Sequence, residues 1–181
     1  MSISAQLILC TILVVAAFYD LFTMKIPNFI TFSTAIAGVV FHTSLSGFDG
    51  FLFSVCGLTA GIGMLLIPYI RSGMGAGDVK LLGAGGSFLG AKATLGAFIF
   101  IAIAGGIYAL ALIFYHRNAF QGFFSGKLQA VHSMVLLKEY VPDRTINPVQ
   151  RPRLRYGIAI AIGTVAYLAA QSYGLTLFLI V

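Results

Sequence analysis

Long apolar runs with almost no charged residue constrain this chain more than any other feature of its sequence. The stretch LILCTILVVAAF near the N-terminus carries no charge, and comparable runs recur along the chain. The hydrocarbon core of a bilayer is about 30 Å thick, and a helix of roughly 20 largely apolar residues crosses it. Because 59% of the residues are hydrophobic and only 9% are charged, the sequence predicts an all-α integral membrane protein.

The apolar runs predict about six transmembrane helices in a single membrane-embedded domain, residues 1–181. The predicted spans are 4–22, 29–45, 51–70, 79–93, 95–115 and 156–179. The fourth run is short and rich in glycine and merges with the fifth, so hydropathy alone also allows five spans. No Lys or Arg precedes the first run, which argues against a cleaved signal peptide, and we expect a retained helix there.

The distribution of Lys and Arg decides between five and six spans, because short cytoplasmic loops retain positive charge. With six spans and both termini outside, every Lys and Arg except Lys92 lies on the cytoplasmic side. With five spans, the basic segment 116–155 would lie opposite Lys25, Arg71 and Lys80. We therefore predict an N-out and C-out topology, with segment 116–155 as a basic cytoplasmic loop before the last helix.

The segment MKIPN is predicted to form a tight cytoplasmic turn between the first two helices. Pro27 lacks the backbone donor that a helix interior needs, and it disfavours helical geometry at Ile26. Asn28, which follows it, is a favourable N-cap for the second helix. The segment SGFDG is predicted to form the short outer turn after that helix.

Two further segments each allow two interpretations. Gly57 and Gly61 have the small-xxx-small spacing that lets another helix approach closely, either inside the bundle or across a dimer seam. The stretch KLQAVHSMVLLKEY in the basic loop places Leu128, Val131 and Val135 on one helical face. This pattern suits a helix lying in the membrane interface, and a solvated loop is the alternative.

Acidic residues are scarce, and two of them stand at the ends of apolar runs. The five are Asp20, Asp49, Asp78, Glu139 and Asp143. Asp20 ends the first span within FYDLF, and Asp78 opens the fourth within GAGDVKLL. Ionisable residues at membrane depth are costly and are therefore candidates for function. The six-span topology puts both at cytoplasmic helix ends, where they can meet.

A pair of neighbouring carboxyls predicts a particular chemistry. Two such groups cannot both ionise easily, so one is expected to keep a proton while the other stays charged. The charged carboxylate can deprotonate water, and the protonated one can stabilise the oxyanion and protonate a leaving amine. Peptide hydrolysis without a metal, cofactor or covalent intermediate follows. Gly75 and Gly77 would let a substrate strand approach Asp78, although helix capping is the competing role for this aspartate.

These motifs resemble those of the type IV prepilin peptidases. GAGDVKLL resembles their GxGD signature, and YDLFTMKIPN resembles their first-loop pattern. RYGIAIAIG is similar to the start of the last helix in the short members that serve Flp-type, tight-adherence pili. The resemblance implies an aspartyl protease of the bacterial cytoplasmic (inner) membrane that faces the cytoplasm. It would cut the short basic leader from pilin precursors after a glycine, with Asp20 and Asp78 as the catalytic pair.

The resemblance also implies supporting residues and partners. The positions expected to shape the loops or bind substrate are Gly75, Gly77, Lys80, Pro27 and Asn28. For Lys80, an anchoring role on the positive side of the membrane competes with a role toward substrate or carboxylate. The implied partners are the Flp-type prepilin, the bilayer and the pilus assembly machinery, with no nucleic acid. The N-terminal domain with cysteine pairs found in longer members is missing, so methyltransferase activity and its zinc are not expected.

Three other functions fit parts of the pattern. A non-catalytic membrane subunit of the pilus or secretion machinery would need the helices but neither carboxylate. A magnesium-dependent enzyme acting on lipid phosphates would need clustered acids, whereas these aspartates are single and separated. A transporter would place its acid near the middle of the membrane. The three histidines, His42, His116 and His132, lack the spacing of metal ligands.

Overall fold

The computed structural model describes residues 3–71, 74–115 and 156–174, whose regular structure is entirely α-helical. The helices are α1 (Ile3–Thr23), α2 (Asn28–Ile70), α3 (Ala76–Tyr115) and α4 (Tyr156–Ser172). By length and composition, α1, α2 and α3 can cross a membrane. This confirms the predicted all-helical class for the described residues, while the six crossings and their orientation stay predictions. Segment 116–155, predicted as a basic cytoplasmic loop with either an interfacial helix or a solvated stretch within it, lies outside the described residues.

Helix α2 folds back on itself at Gly47. Its φ of 60° and ψ of −133° form a conformation that glycine adopts far more readily than other residues. Ser54 Oγ donates a hydrogen bond to the carbonyl oxygen of Gly38 at 3.2 Å, whereas 16 residues of straight helix would separate them by about 24 Å. The two arms of α2 are therefore antiparallel, and they correspond to the predicted spans 29–45 and 51–70. The predicted SGFDG turn contains the reversal, which lies at its second residue.

Helix α3 reverses in the same way at Gly90, which has φ 75° and ψ 166°. A Cβ atom on Gly86 would lie 3.2 Å from Oγ1 of Thr94, although a straight helix would separate these residues by about 12 Å. The boundary predicted between spans 79–93 and 95–115 is therefore wrong by a few residues. The reversal needs the positive φ of Gly90, and hydropathy does not detect that requirement.

The first arm of α3 forms the centre of the bundle. Every residue from Leu81 to Gly90 is buried, as expected for a helix with neighbours on all sides. Glycines in α2 make the close packing possible. A Cβ on Gly57 would collide with the carbonyl oxygen of Gly86, and one on Gly61 would lie 2.6 Å from that of Leu82. The Gly57 and Gly61 pair therefore packs inside the bundle, which was one of its two predicted uses.

Helix α1 presents one regular buried face to the bundle. The buried residues of this face are Ala5, Leu9, Leu13, Ala16 and Asp20. Their spacing of three or four residues places them on the same side of the helix. Helix α1 packs along α4 and also contacts α2. Asp20 therefore continues an apolar, inward-facing stripe and does not lie on the outer surface of α1.

The connection from α1 to α2 is a short turn. Helix α1 ends with a hydrogen bond of 3.1 Å from the Met24 N–H to the Asp20 carbonyl oxygen, and Met24 has a φ of 52°, which is a left-handed helix end. Pro27 occupies the N-cap position of α2, and its carbonyl oxygen accepts a hydrogen bond from the Ile30 N–H at 3.1 Å. The N-cap prediction for Asn28 is therefore wrong, because helical geometry already begins at Asn28.

The chain divides into two compact units. The first contains α1, α2, α3 as far as Gly106, and α4. The described part of the second is Ile107–Tyr115, the end of α3. The predicted organisation as one peptidase domain over residues 1–181 stays a prediction. All residues of the candidate site belong to the first unit.

Candidate active site

Asp20 and Asp78 come together in the fold. Asp20 lies in the last turn of α1, and Asp78 is the third residue of α3. Their side chains are only 6% and 7% exposed, and the charge of Asp20 acts on the carboxyl of Asp78. Two acids that are distant in sequence therefore share one buried site, a meeting that the predicted topology allowed. Their catalytic role stays a prediction.

The start of α3 holds the Asp78 carboxyl in place. The backbone N–H of Gly75 donates to Asp78 Oδ2 at 3.2 Å, and the Gly75 carbonyl oxygen accepts a hydrogen bond from the Asp78 N–H at 3.2 Å. This reciprocal pair resembles a capping box, in which an acid in the first turn bonds back to the preceding loop. The capping interpretation and the catalytic one are therefore compatible, because the capping bond orients the same carboxyl.

The start of α4 holds the Asp20 carboxyl. The backbone N–H of Gly157 donates to Asp20 Oδ2 at 3.1 Å, and this bond is buried. Sequence reasoning assigned no role to Gly157. The one signal was its place in RYGIAIAIG, which resembles the start of a family helix but does not indicate what the glycine contacts. A separation of 137 residues has no local pattern that could reveal the contact.

Tyr156, the first residue of α4, is a second site neighbour that sequence reasoning missed. Its phenol group interacts electrostatically with Asp78. Its ring packs so closely on α3 that a Cβ added to Gly105 would lie 2.8 Å from it. The first two residues of α4 therefore both belong to the surroundings of the acids. The Gly157 N–H bonds to Asp20, and the Tyr156 phenol lies within electrostatic range of Asp78.

Gly75 and Gly77 have different neighbours, although both belong to the GAGD stretch. A Cβ added to Gly75 would lie 3.2 Å from Asp78 Oδ2, whereas one added to Gly77 would lie 3.1 Å from the Cβ of Ile26. At Gly77, the close approach is therefore made by the first loop of this chain. That contact joins the α1–α2 connection to the start of α3.

Lys80 and Asn28 join the starts of α3 and α2. Lys80 Nζ donates to Asn28 Oδ1 at 2.9 Å, and it lies 5.5 Å from the ring centroid of Phe32, within the range of a cation–π interaction. Pro27 directly precedes this contact and begins the helix that carries Asn28. These predicted supporting residues thus connect the start of α2 to the start of α3, the helix that carries Asp78.

The described residues offer no obvious metal centre. Within residues 3–71, 74–115 and 156–174, no group of three or more His, Cys, Asp or Glu side chains could hold a metal ion. His42 instead serves the packing of the helices, since its Nε2 lies 3.0 Å from the carbonyl oxygen of Phe88. His116 and His132 lie outside the described residues. What the site does offer is a pair of carboxyls with a backbone donor on each.

Comparison with known proteins identifies the family of this chain. The sequence profile of the type IV leader peptidase family matches residues 7–110. The matched segment covers more than half of the chain and contains both Asp20 and Asp78, while α4 lies beyond it. No curated protein and no solved structure matches the chain significantly. On the strength of the profile match, the chain belongs to the type IV leader peptidase family.

Proposed function

We propose that this protein is a GxGD-type aspartic endopeptidase that removes the leader from pilin precursors, with Asp20 and Asp78 as its catalytic pair. Family membership implies a protease that acts on a pilin precursor. One observation carries the finer assignment. Two buried carboxyls from separate helices interact with each other, in a chain whose described residues contain only one other acid, the exposed Asp49.

The proposed reaction is hydrolysis of the peptide bond by an activated water. Two close carboxyls repel when both are charged, so the resting pair shares one proton. The ionised carboxylate takes a proton from water as the water oxygen bonds to the carbonyl carbon. The protonated carboxyl hydrogen-bonds to the developing oxyanion. The bond from carbon to nitrogen then breaks, and that carboxyl gives its proton to the leaving amine.

Backbone donors support this assignment by orienting each carboxyl before substrate arrives. The Gly75 N–H bonds to Asp78, and the Gly157 N–H bonds to Asp20. Main-chain donors in helix starts cannot rotate away, so the two acids keep a defined geometry. Pre-organised geometry of this kind lowers an activation barrier, because the catalytic groups need not be ordered during the reaction.

We further propose a Flp-type prepilin as substrate, the cytoplasmic face of the bacterial inner membrane as the location, and the pilus assembly machinery as a partner. Lys25 and Lys80 lie within a few residues of Asp20 and Asp78. Positive charge marks the cytoplasmic ends of membrane helices. The resemblance of RYGIAIAIG to the short Flp-type members supports the substrate class.

The test is co-expression of this protein with a Flp-type prepilin, with Asp20→Asn and Asp78→Asn as the variants. Each change keeps the shape of the side chain but removes the carboxyl. We expect the wild type to shorten the prepilin on a gel and each variant to lose about a hundredfold or more of the cleavage rate. Asp49→Asn is the matched control. Because Asp49 is exposed, we expect this variant to process the prepilin normally.

The other outcomes favour other functions. If both variants reach wild-type levels in the membrane and cleave normally, the carboxyl pair is not catalytic. If the wild type cleaves nothing while the pilus machinery still requires it, a non-catalytic assembly subunit is favoured. Cleavage by the purified protein should persist in EDTA, and loss of cleavage there would favour a metal-dependent enzyme.

A further inference from the structure

The contact between Asp20 and α4 joins the first and the last helix of the described chain. The Gly157 N–H donates to Asp20 Oδ2 at 3.1 Å in a buried environment. Gly157 is the second residue of α4, so its N–H has no acceptor within the helix and is available to a partner. The profile match ends at residue 110. The match that shows the family therefore does not include Gly157.

The contact leaves no room for a side chain at position 157. A Cβ added to Gly157 would lie 2.8 Å from Asp20 Oδ2 and 3.1 Å from both Cβ and Cγ of Asp20. Non-bonded atoms do not pack at the first of these distances, so the carboxyl would have to move. Asp20 is itself buried, with only 6% of its surface exposed, so such a movement would disturb the packing around it.

The charge of Asp20 also favours a partner from another helix. Asp20 lies in the last turn of α1, where the partial negative charge of the helix end disfavours an anion. The N-terminus of α4 carries the opposite partial charge and offers unpaired N–H groups. The α4 start therefore offsets the unfavourable field of α1 at this carboxylate. Asp78 has no such need, because it lies in the first turn of its own helix.

We propose that Gly157 is a positioning residue for Asp20. Its N–H holds one carboxyl oxygen, and its missing side chain leaves the space that the carboxyl occupies. The acting group remains Asp20, which touches the water and the substrate. This role rests on the proposed function, because it gives Gly157 a part in catalysis only if Asp20 is catalytic.

The activity test compares Gly157→Ala with Gly63→Ala. Both replace a helical glycine with alanine, but a Cβ on Gly63 would meet no atom within 4 Å. With purified protein and a prepilin substrate, we expect Gly157→Ala to lower kcat about tenfold or more and to leave KM within about twofold, because a displaced catalytic group slows chemistry. Gly63→Ala should match the wild type. A kcat for Gly157→Ala within twofold of wild type would overturn the proposal.

A thermal unfolding cycle tests the contact without any substrate. Gly157→Ala is made in the wild type and in an Asp20→Ala background, where the carboxyl that would collide is gone. We expect Gly157→Ala to lower Tm by several degrees in the wild type and to change Tm little in the Asp20→Ala background. Equal Tm shifts in the two backgrounds would overturn the proposal.

The two measurements separate failure of this inference from failure of the proposed function. If the wild type cleaves no prepilin, the proposed function fails, and Gly157 then has no catalytic group to position. The unfolding cycle still shows whether Gly157 and Asp20 are coupled in the fold. If the wild type cleaves prepilin and Gly157→Ala cleaves it equally fast, the proposed function stands and the positioning role is wrong.

Discussion

At the level of single residues, glycines determine how closely neighbouring chain segments approach the residues of the site. Gly75 and Gly157 each give a backbone N–H to one aspartate, and a Cβ on either would press on that carboxyl. Gly77 serves a different purpose, because it faces the Cβ of Ile26. The two glycines of the GAGD stretch therefore act on different neighbours. One orients Asp78, and the other lets the first loop pack on α3.

Gly77→Val should damage the site through Ile26. A Cβ at position 77 would already lie 3.1 Å from the Ile26 Cβ, and the branched methyl groups of valine add further bulk. We expect slower prepilin cleavage and a lower Tm, with partial recovery of both when Ile26→Ala is added. Gly63→Val is the control, since it adds the same side chain to open space. Wild-type turnover by Gly77→Val would show that this packing is unnecessary.

At the level of helices, the bundle depends on close approaches at glycines. The second arm of α2 meets the first arm of α3 where Gly57 faces the Gly86 carbonyl oxygen. Ser54 adds a hydrogen bond to Gly38 between the arms of α2. Small residues are the usual means by which helices associate in membranes, because lipid offers little hydrophobic drive for association. Since α3 carries Asp78, this crossing also supports the site.

Gly57→Ala should destabilise the bundle, whereas Gly63→Ala should not. Both residues lie in the same arm of α2, but a Cβ on Gly57 would collide with the Gly86 backbone and one on Gly63 would meet nothing within 4 Å. Overpacking of this kind costs about 1–3 kcal/mol, so we expect Tm of Gly57→Ala to fall by several degrees in detergent. Equal Tm values for the two variants would contradict this account of the crossing.

At the level of the whole molecule, two reversals turn the two longest helices, α2 and α3, into four arms. Helix α2 doubles back at Gly47 and α3 at Gly90, while α1 and α4 run without such a break. The described residues thus contain six helical arms, the same number as the predicted spans. The matching number does not establish that each arm crosses the bilayer, and sidedness depends on where the charged residues lie relative to the membrane.

Cysteine labelling can test the predicted topology. In a background with Cys10→Ala and Cys56→Ala, single cysteines replace Lys25 or Lys92. Because positive charge is retained on the cytoplasmic side, we expect a membrane-impermeant maleimide to label Lys92→Cys in intact cells and Lys25→Cys only after permeabilisation. Both variants should still process prepilin, which controls for folding. The reverse labelling pattern would contradict the N-out topology.

The sequence by itself was sufficient for the helical class and for the two candidate acids. Apolar runs, helix-boundary prolines and glycines, and isolated charges are local features, and each has a local physical consequence. Two positions show where predictions from such local features fail. Hydropathy placed the break in α3 near residue 94, although Gly90 makes it, and Asn28 was assigned a capping role that Pro27 occupies.

Only the tertiary structure decided which groups meet. The Gly157 N–H reaches Asp20 across 137 residues, Tyr156 lies near Asp78, and Gly77 packs on Ile26. None of these pairs has a periodicity or spacing that a reader of the sequence could use, because distances between separate helices arise from packing. The sequence therefore identified the two candidate acids, and the packing of the helices determined which neighbours hold them.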